Sequence, residues 1–315
     1  MSTAAATVLC HLPDGYLQLG ELAHRFPDWD FVQVPTDGPI PKGITGEVAL
    51  TVAAPSGNLV ELLARGVRWV HCTGHGVDHL PLEEFSDQLV TCSRGVSADA
   101  IAEWVVAMIL AWAKRLPESW VDEPPERWFM SRLDGLGDST VTLIGLGSIN
   151  TAVAERLAPF GCRILAVRRT ARPCPVPAVE VMDTITEAVA SADHIVLAAP
   201  LTPATHHLID TECFAATKPG VHLVNVARGA LIDQEALREA LDDDRVGRAS
   251  LDVAEPEPLP AGHWLYQHPR VLLSPHVSWV GPGYLRRVTA MFGDYLERWI
   301  AGRSLDGIVD LEAGY

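Results

Sequence analysis

A chain of 315 residues, 48% of them hydrophobic and 20% charged, has the composition of a folded globular protein and enough length for two domains with cores of their own. Forty acidic against 24 basic residues give a formal charge of −16, which sets the surface field against nucleic acid and anionic lipid as partners. No apolar run reaches membrane-spanning length, no basic residue precedes an apolar stretch in residues 1–7, and the six cysteines form no close pairs; a cytoplasmic protein with reduced thiols is expected.

In chain order, short apolar runs alternate with helix-like segments, the pattern of a parallel α/β protein. Strands are predicted at 7–12, 31–34, 48–53, 68–73 and 89–93, with helices at 17–25 and 58–64 between them. A long helix follows over 97–116, capped by Ser97 and stopped by Pro117. Its apolar positions (Ile101, Trp104, Val105, Met108, Ile109, Trp112) run almost all the way round, which suits burial between layers or between subunits. Residues 117–137 are irregular and proline-broken, yet carry Trp120, Trp128 and Phe129, as an arm lying on a partner subunit would. A second series begins at Thr140, with strands at 141–144, 163–167, 195–199, 222–226, 249–253 and 271–273 and helices at 151–160 and 234–241. A last amphipathic helix spans 284–301, after a Gly-Pro-Gly break. These elements predict two doubly wound α/β domains, Rossmann-like or flavodoxin-like, with the active site in the cleft between them. The substrate domain comprises 1–96 and 283–315, the dinucleotide-binding domain 97–282, and a homodimer built on the second is expected.

The strand at 141–144 runs straight into Gly145-Leu146-Gly147-Ser148-Ile149-Asn150 and a helix. Glycines in a strand–turn–helix setting let a pyrophosphate approach backbone N–H groups at a helix N-terminus, although a purely structural turn would use the same residues. Asn150 stands where a third glycine would pack helix on strand, so slightly looser packing is expected there. At the end of the next strand, Arg168, Arg169 and Thr170 replace the acidic residue that would take a ribose 2′-hydroxyl. A guanidinium there fits a 2′-phosphate, so NADP(H) is favoured with NAD(H) as the alternative; the plain reading is a solvated basic turn.

Six further segments follow in order: Thr73-Gly74-His75-Gly76-Val77-Asp78, Pro200-Leu201-Thr202-Pro203-Ala204-Thr205, Asn225-Val226-Ala227-Arg228-Gly229, Leu251-Asp252-Val253, Glu255-Pro256-Glu257-Pro258-Leu259 and Ser274-Pro275-His276-Val277. With the Gly145 turn, the set resembles the D-isomer-specific 2-hydroxyacid dehydrogenase family, which includes glyoxylate/hydroxypyruvate reductases, over nearly the whole chain. The resemblance implies reduction of a 2-keto acid to a D-2-hydroxy acid, or the reverse, with a nicotinamide cofactor and no metal. It assigns catalysis to Arg228, Glu257 and His276: a clamp for carboxylate and keto oxygen, a partner for the imidazole, and the general acid. It places the substrate carboxylate at His75 and Gly76 as well as at Arg228. It places the cofactor at Gly145, Gly147, Ser148, Ile149, Arg168, Arg169, Thr170, Pro200, Thr205, Val226, Ala227 and Asp252, the last orienting the nicotinamide carboxamide. The histidine-rich run His71, Cys72, His75, His79 leaves a metal site open as a rival reading of that segment. Two other activities on the same scaffold compete: phosphite oxidation with a similar Arg/Glu/His set, and cofactor sensing as in the related corepressors.

Overall fold

A computed structural model describes residues 6–129, 133–170 and 173–315. By its contacts the chain divides into two compact units, the described parts of Met1–Ser97 with Gly281–Tyr315 and of Ala98–Val280.

In the first unit, β1 (Ala6–His11), α1 (Leu19–Arg25), β2 (Trp29–Val34), β3 (Val48–Thr51), α2 (Leu59–Leu63), β4 (Trp69–Cys72) and β5 (Leu89–Cys92) alternate. The strands are all parallel, in the order β2-β1-β3-β4-β5. Val48, Ala49, Leu50 and Thr51 of the central β3 are all buried, as a strand covered on both faces requires.

The second unit opens with α3 (Ala98–Ala113), shorter at both ends than the predicted 97–116. Ile101, Ala102, Val105, Ile109 and Ala113 of α3 are buried, while Trp104, Met108 and Trp112 are half-buried. The backbone N–H of Asp134 closes on the carbonyl of Ala113, so the chain returns from its irregular excursion to the end of this helix. Then follow β6 (Thr140–Ile144), α4 (Ser148–Leu157), β7 (Arg163–Val167), β8 (Val179–Met182), α5 (Ile185–Ala190), β9 (His194–Leu197), α6 (Thr211–Ala216), β10 (Val221–Asn225), α7 (Gln234–Asp242), β11 (Val246–Leu251) and β12 (Val271–Leu273). They build a seven-stranded parallel sheet of order β12-β11-β10-β9-β6-β7-β8. The order in which the chain adds strands reverses between β9 and β6, the switch point at which doubly wound sheets open a crevice beyond the carboxyl ends of their strands. Separate apolar clusters fill the two faces, one around Leu197, Leu223 and Leu237 and the other around Val105, Leu143 and Val153.

The remaining helix, α8 (Tyr284–Ile300), belongs to the first unit, where Val288, Phe292 and Leu296 pack with Trp69 and the β1 and β3 side chains. Three elements had no clear sequence signal: β8, whose Glu180 interrupts a four-residue strand, and the one-and-a-half-turn helices α5 and α6. Both short helices owe their start to a side-chain cap, Thr184 accepting from the N–H of Glu187 and Asp210 from that of Cys213.

Candidate active site

The site is assembled from loops that leave the carboxyl ends of β6, β7, β9, β10, β11 and β12. Gly145 follows β6 at φ +85°, and a Cβ there would stand 2.9 Å from the carbonyl oxygen of Ala198 and from Cα of Ala199, so only glycine fits. Gly147 is the N-cap of α4 and supplies no side-chain cap; a Cβ on it would meet nothing within 4 Å. The first N–H groups of a helix lack intrahelical partners, so this end of α4 presents donors to open space. Ser148 Oγ is buried beside it with no hydrogen-bond partner among the described residues, while Ile149 is core. Helix α4 starts three residues earlier than predicted, directly at the turn.

Asn150 corrects the expectation of loose packing. It is wholly buried, and its Nδ2 donates to the carbonyls of Ile144 at 3.2 Å and Gly145 at 2.6 Å, tying the helix to the strand end rather than holding it away. Arg168 follows β7 directly, half-buried, with Nε shielded and unpartnered among the described residues; Arg169 and Thr170 are exposed. An inward guanidinium with donors to spare at this strand end is the chemistry a phosphate oxygen satisfies.

After β9, Thr205 Oγ1 donates to the carbonyl of Pro200 at 2.7 Å and accepts from the N–H of Thr202 at 2.8 Å, which closes the loop into one turn. After β10, Val226 and Ala227 are buried in the two opposite apolar clusters. Arg228 next to them is half-buried, and its guanidinium donates to the carbonyl of Ala227 at 2.7 Å. Asn225 fixes this corner, accepting from the N–H of Ala227 and donating to the carbonyl of Arg228. Gly229 lies under the chain beyond β11: a Cβ would come within 2.0 Å of the carbonyl carbon of Ala254.

The central pair is His276 and Glu257. Nδ1 of His276 lies 2.8 Å from Oε2 of Glu257, and the other carboxylate oxygen accepts from the N–H of Ala254 at 2.9 Å. Burial by itself would raise the Glu257 carboxyl. The His276 and Ala254 hydrogen bonds and the nearby Arg228 charge outweigh it and hold the group below the usual carboxylate range, hence ionised. His276 adopts φ +53°, a left-handed conformation uncommon for a non-glycine residue and found at sites where the surroundings impose it. The surroundings here are Asp252. Its carbonyl accepts from the N–H of His276, and its almost fully buried carboxylate accepts from Ser274 Oγ and from the N–H groups of Val277 and Ser278. This anchoring of the histidine loop went unseen in the sequence, where Asp252 stood only as a nicotinamide contact; a buried Asp followed 22 residues later by Ser-Pro-His carries no local signature.

In the first unit, His75 and Gly76 sit in the turn after β4, with His75 Nδ1 accepting from the N–H of Gly95 at 3.3 Å. Gly74 beside them lies against Ala53, whose Cβ a glycine substituent would meet at 2.1 Å. The rival metal reading loses His71, whose nitrogens are bonded to the hydroxyls of Thr91 and Ser93 in the core.

Residues 106–278 match the family model described as D-isomer specific 2-hydroxyacid dehydrogenase, NAD binding domain. A glyoxylate reductase/hydroxypyruvate reductase from Mus musculus is 33% identical over 271 residues, covering 80% of this chain and 82% of the relative. A glyoxylate reductase from Thermofilum pendens is 36% identical over 218 residues, covering 64% and 63% of the two chains. Among solved structures, a D-isomer specific 2-hydroxyacid dehydrogenase from Xanthobacter autotrophicus, in complex with NADPH and MES, superimposes with a TM-score of 0.86 over 99% of this chain and 100% of that one, at 27% identity.

Proposed function

Since the chain belongs to the D-isomer specific 2-hydroxyacid dehydrogenases, we propose that it reduces a small 2-keto acid to the D-2-hydroxy acid with NADPH, with the glyoxylate and hydroxypyruvate class as first candidates. The observation that carries this reading is the 2.8 Å His276–Glu257 pair, beside Arg228 and beyond the carboxyl ends of a doubly wound sheet.

The Gly145 turn and the N-terminus of α4 would hold the nicotinamide cofactor, which would supply the hydride for the carbonyl carbon. The chain's own residues do the rest. His276 holds the proton for the keto oxygen on Nε2, because Nδ1 is engaged with Glu257. An ionised Glu257 fixes the ring's orientation through that hydrogen bond. Arg228 has the planar fork to hold the substrate carboxylate and keto oxygen together. Once His276 has given its proton to the reduced oxygen, the neutral imidazole recovers one from solvent. Arg168, with its shielded Nε, is assigned to the 2′-phosphate, with Arg169 and Thr170 beside it; the bound NADPH of the Xanthobacter relative supports this choice. Gly147 and Ser148 receive the pyrophosphate, and Pro200, Thr205, Val226, Ala227 and Asp252 keep their places along the cofactor as the motifs assign them.

A homodimer fits two features of the second unit. The half-buried face of α3 (Trp104, Met108) leaves apolar surface uncovered, and the segment after it exposes Trp120 at 71%, Trp128 at 63% and Phe129 fully. Six free cysteines, five of them buried, suit a reducing cytoplasm, and among the described residues no helix is long and apolar enough to cross a membrane. The test is steady-state reduction of glyoxylate, hydroxypyruvate, pyruvate and phenylpyruvate with NADPH. Turnover of at least one is expected, and no turnover of any by folded, NADPH-binding protein would refute the enzymatic reading.

A further inference from the structure

Beyond the cofactor loop after β9 lies a group of side chains that the proposed reaction does not use. His206 and His207 follow Thr205, and their imidazoles stack with centroids 3.9 Å apart and planes inclined by 28°. His207 has φ +52°, a left-handed kink that turns two consecutive side chains to the same side. Facing them is Glu255, from the loop after β11, and one donor atom from each of the three residues falls within 4.8 Å of the other two. All three are exposed, and neither the His206 ring nor the Glu255 carboxylate has a hydrogen-bond partner among the described residues.

We propose that His206, His207 and Glu255 form a binding site for a divalent transition-metal cation of the Zn2+ class. Two imidazoles and one carboxylate are the donor set of borderline cations; Mg2+ and Ca2+ ask for oxygen throughout. Three protein ligands leave a fourth position for water or a small anion, the arrangement of an open rather than a closed zinc site. The exposed setting lets the cation enter directly, and a net charge of −16 raises its local concentration.

The ligands rest on a common support. The N–H of His207 donates to the carbonyl of Ala230 at 2.8 Å, and that of Ile209 to Leu231 at 2.9 Å. The carbonyl of Glu255 accepts from the side chain of Gln234. The peptide between Ala254 and Glu255 is seated on Gly229. Segment 229–234 therefore carries both loops that supply the ligands. It also places Asp233 Oδ2 at 3.9 Å from Nδ1 of His207, beyond hydrogen-bond length but close enough for the carboxylate to favour a cation bound on the far side of the ring. This site is independent of the dehydrogenase reading and stands or falls on cation binding alone.

The experiment is calorimetric titration of metal-stripped protein with Zn2+, alongside His206→Ala, Glu255→Gln and Asp233→Asn. One cation per chain is expected, with affinity falling at least about tenfold in each of the first two variants and less in the third. Asparagine keeps the cap that Asp233 provides to α7, so Asp233→Asn remains folded. Zn2+ should raise the thermal midpoint of the wild type and raise that of His206→Ala by less at the same concentration, since stabilisation follows binding to the native state. Absence of binding, or binding that survives both ligand substitutions, overturns the proposal.

Discussion

At the start of β9 and β10, His194 and His222 are buried with their Nδ1 atoms 3.1 Å apart, and His222 Nε2 meets Ser250 Oγ at 2.9 Å. Beyond the end of β12, in the same unit, His276 is 39% exposed and meets a carboxylate at 2.8 Å. The partner decides what each ring can do. Two imidazoles sharing one hydrogen bond need one donor and one acceptor, so they cannot both be charged, and burial lowers His194 to about 4 and holds His222 well below the ordinary histidine value. A histidine facing an ionised glutamate is free to hold a proton and give it away. One end of the sheet uses imidazole as a core polar group, and the other offers it for chemistry.

The sharpest way to break this contrast is His276→Ala. Turnover of the best keto acid should fall by about a hundredfold or more, since a positioned general acid contributes on that scale. NADPH affinity, followed by fluorescence titration, should stay within about twofold, because the proposed cofactor contacts lie elsewhere. Full turnover in this variant would remove His276 from the mechanism.

Acid should act on the opposite end. His194 has a folded pKa below its unfolded value of 6.5, so between pH 6.5 and about 4 the unfolded chain binds a proton that the folded chain refuses. The contribution of His194 is therefore complete above pH 6.5 and is lost as pH falls through that window, by up to about 3 kcal/mol at one pKa unit per 1.36 kcal/mol. Urea midpoints measured across this range should show the slope, and His194→Gln should make it shallower without abolishing it, because the buried His71 and His222 resist protonation in the same way. A midpoint independent of pH in the wild type would contradict the buried neutral pair.

Gly229→Ala probes the join between Arg228 and the Glu257 loop. The added Cβ overlaps the Ala254 carbonyl, so the loop must shift at a cost of about 2 kcal/mol in stability, with kcat reduced as Glu257 moves. Unchanged midpoint and unchanged kcat would show the loop to be slack.

The smallest effect belongs to the cofactor end of β7. NADPH should be preferred over NADH by at least about tenfold in kcat/KM, a gap near 1.4 kcal/mol, and Arg168→Asp should reverse or abolish the preference. Equal efficiency of the wild type with both cofactors would return Arg168 to the status of a solvated basic residue.

Much of this was legible in the residues. Alternating apolar runs announced both parallel sheets, since strands covered on two faces are apolar over most of their length, as β3 is with Val48, Ala49 and Leu50. Glycine at 145 announced a turn that no other residue could make. Short elements set by a single cap, such as α6 under Asp210, were not legible, because six residues give too little periodicity to register. Nor was the burial of Asn150: an asparagine where glycine is expected reads as a defect until its amide is seen spanning two carbonyls. The Asp252 anchor and the His206–His207–Glu255 group were hidden for a different reason. Each joins residues tens of positions apart, and only the parallel stacking of strand ends brings them together.

The bare Cα of Gly229 has a consequence for descent and for redesign. Because the chain at 254–255 occupies the space a side chain would need, the stretch bearing Arg228 and the stretch bearing Glu257 cannot accept substitutions independently at their junction. A lineage that gained any side chain at 229 would have to rebuild the other loop in the same step. Libraries that vary 227–230 and 253–257 separately should thus yield few active members, and libraries that vary them jointly should recover combinations that neither search alone can reach.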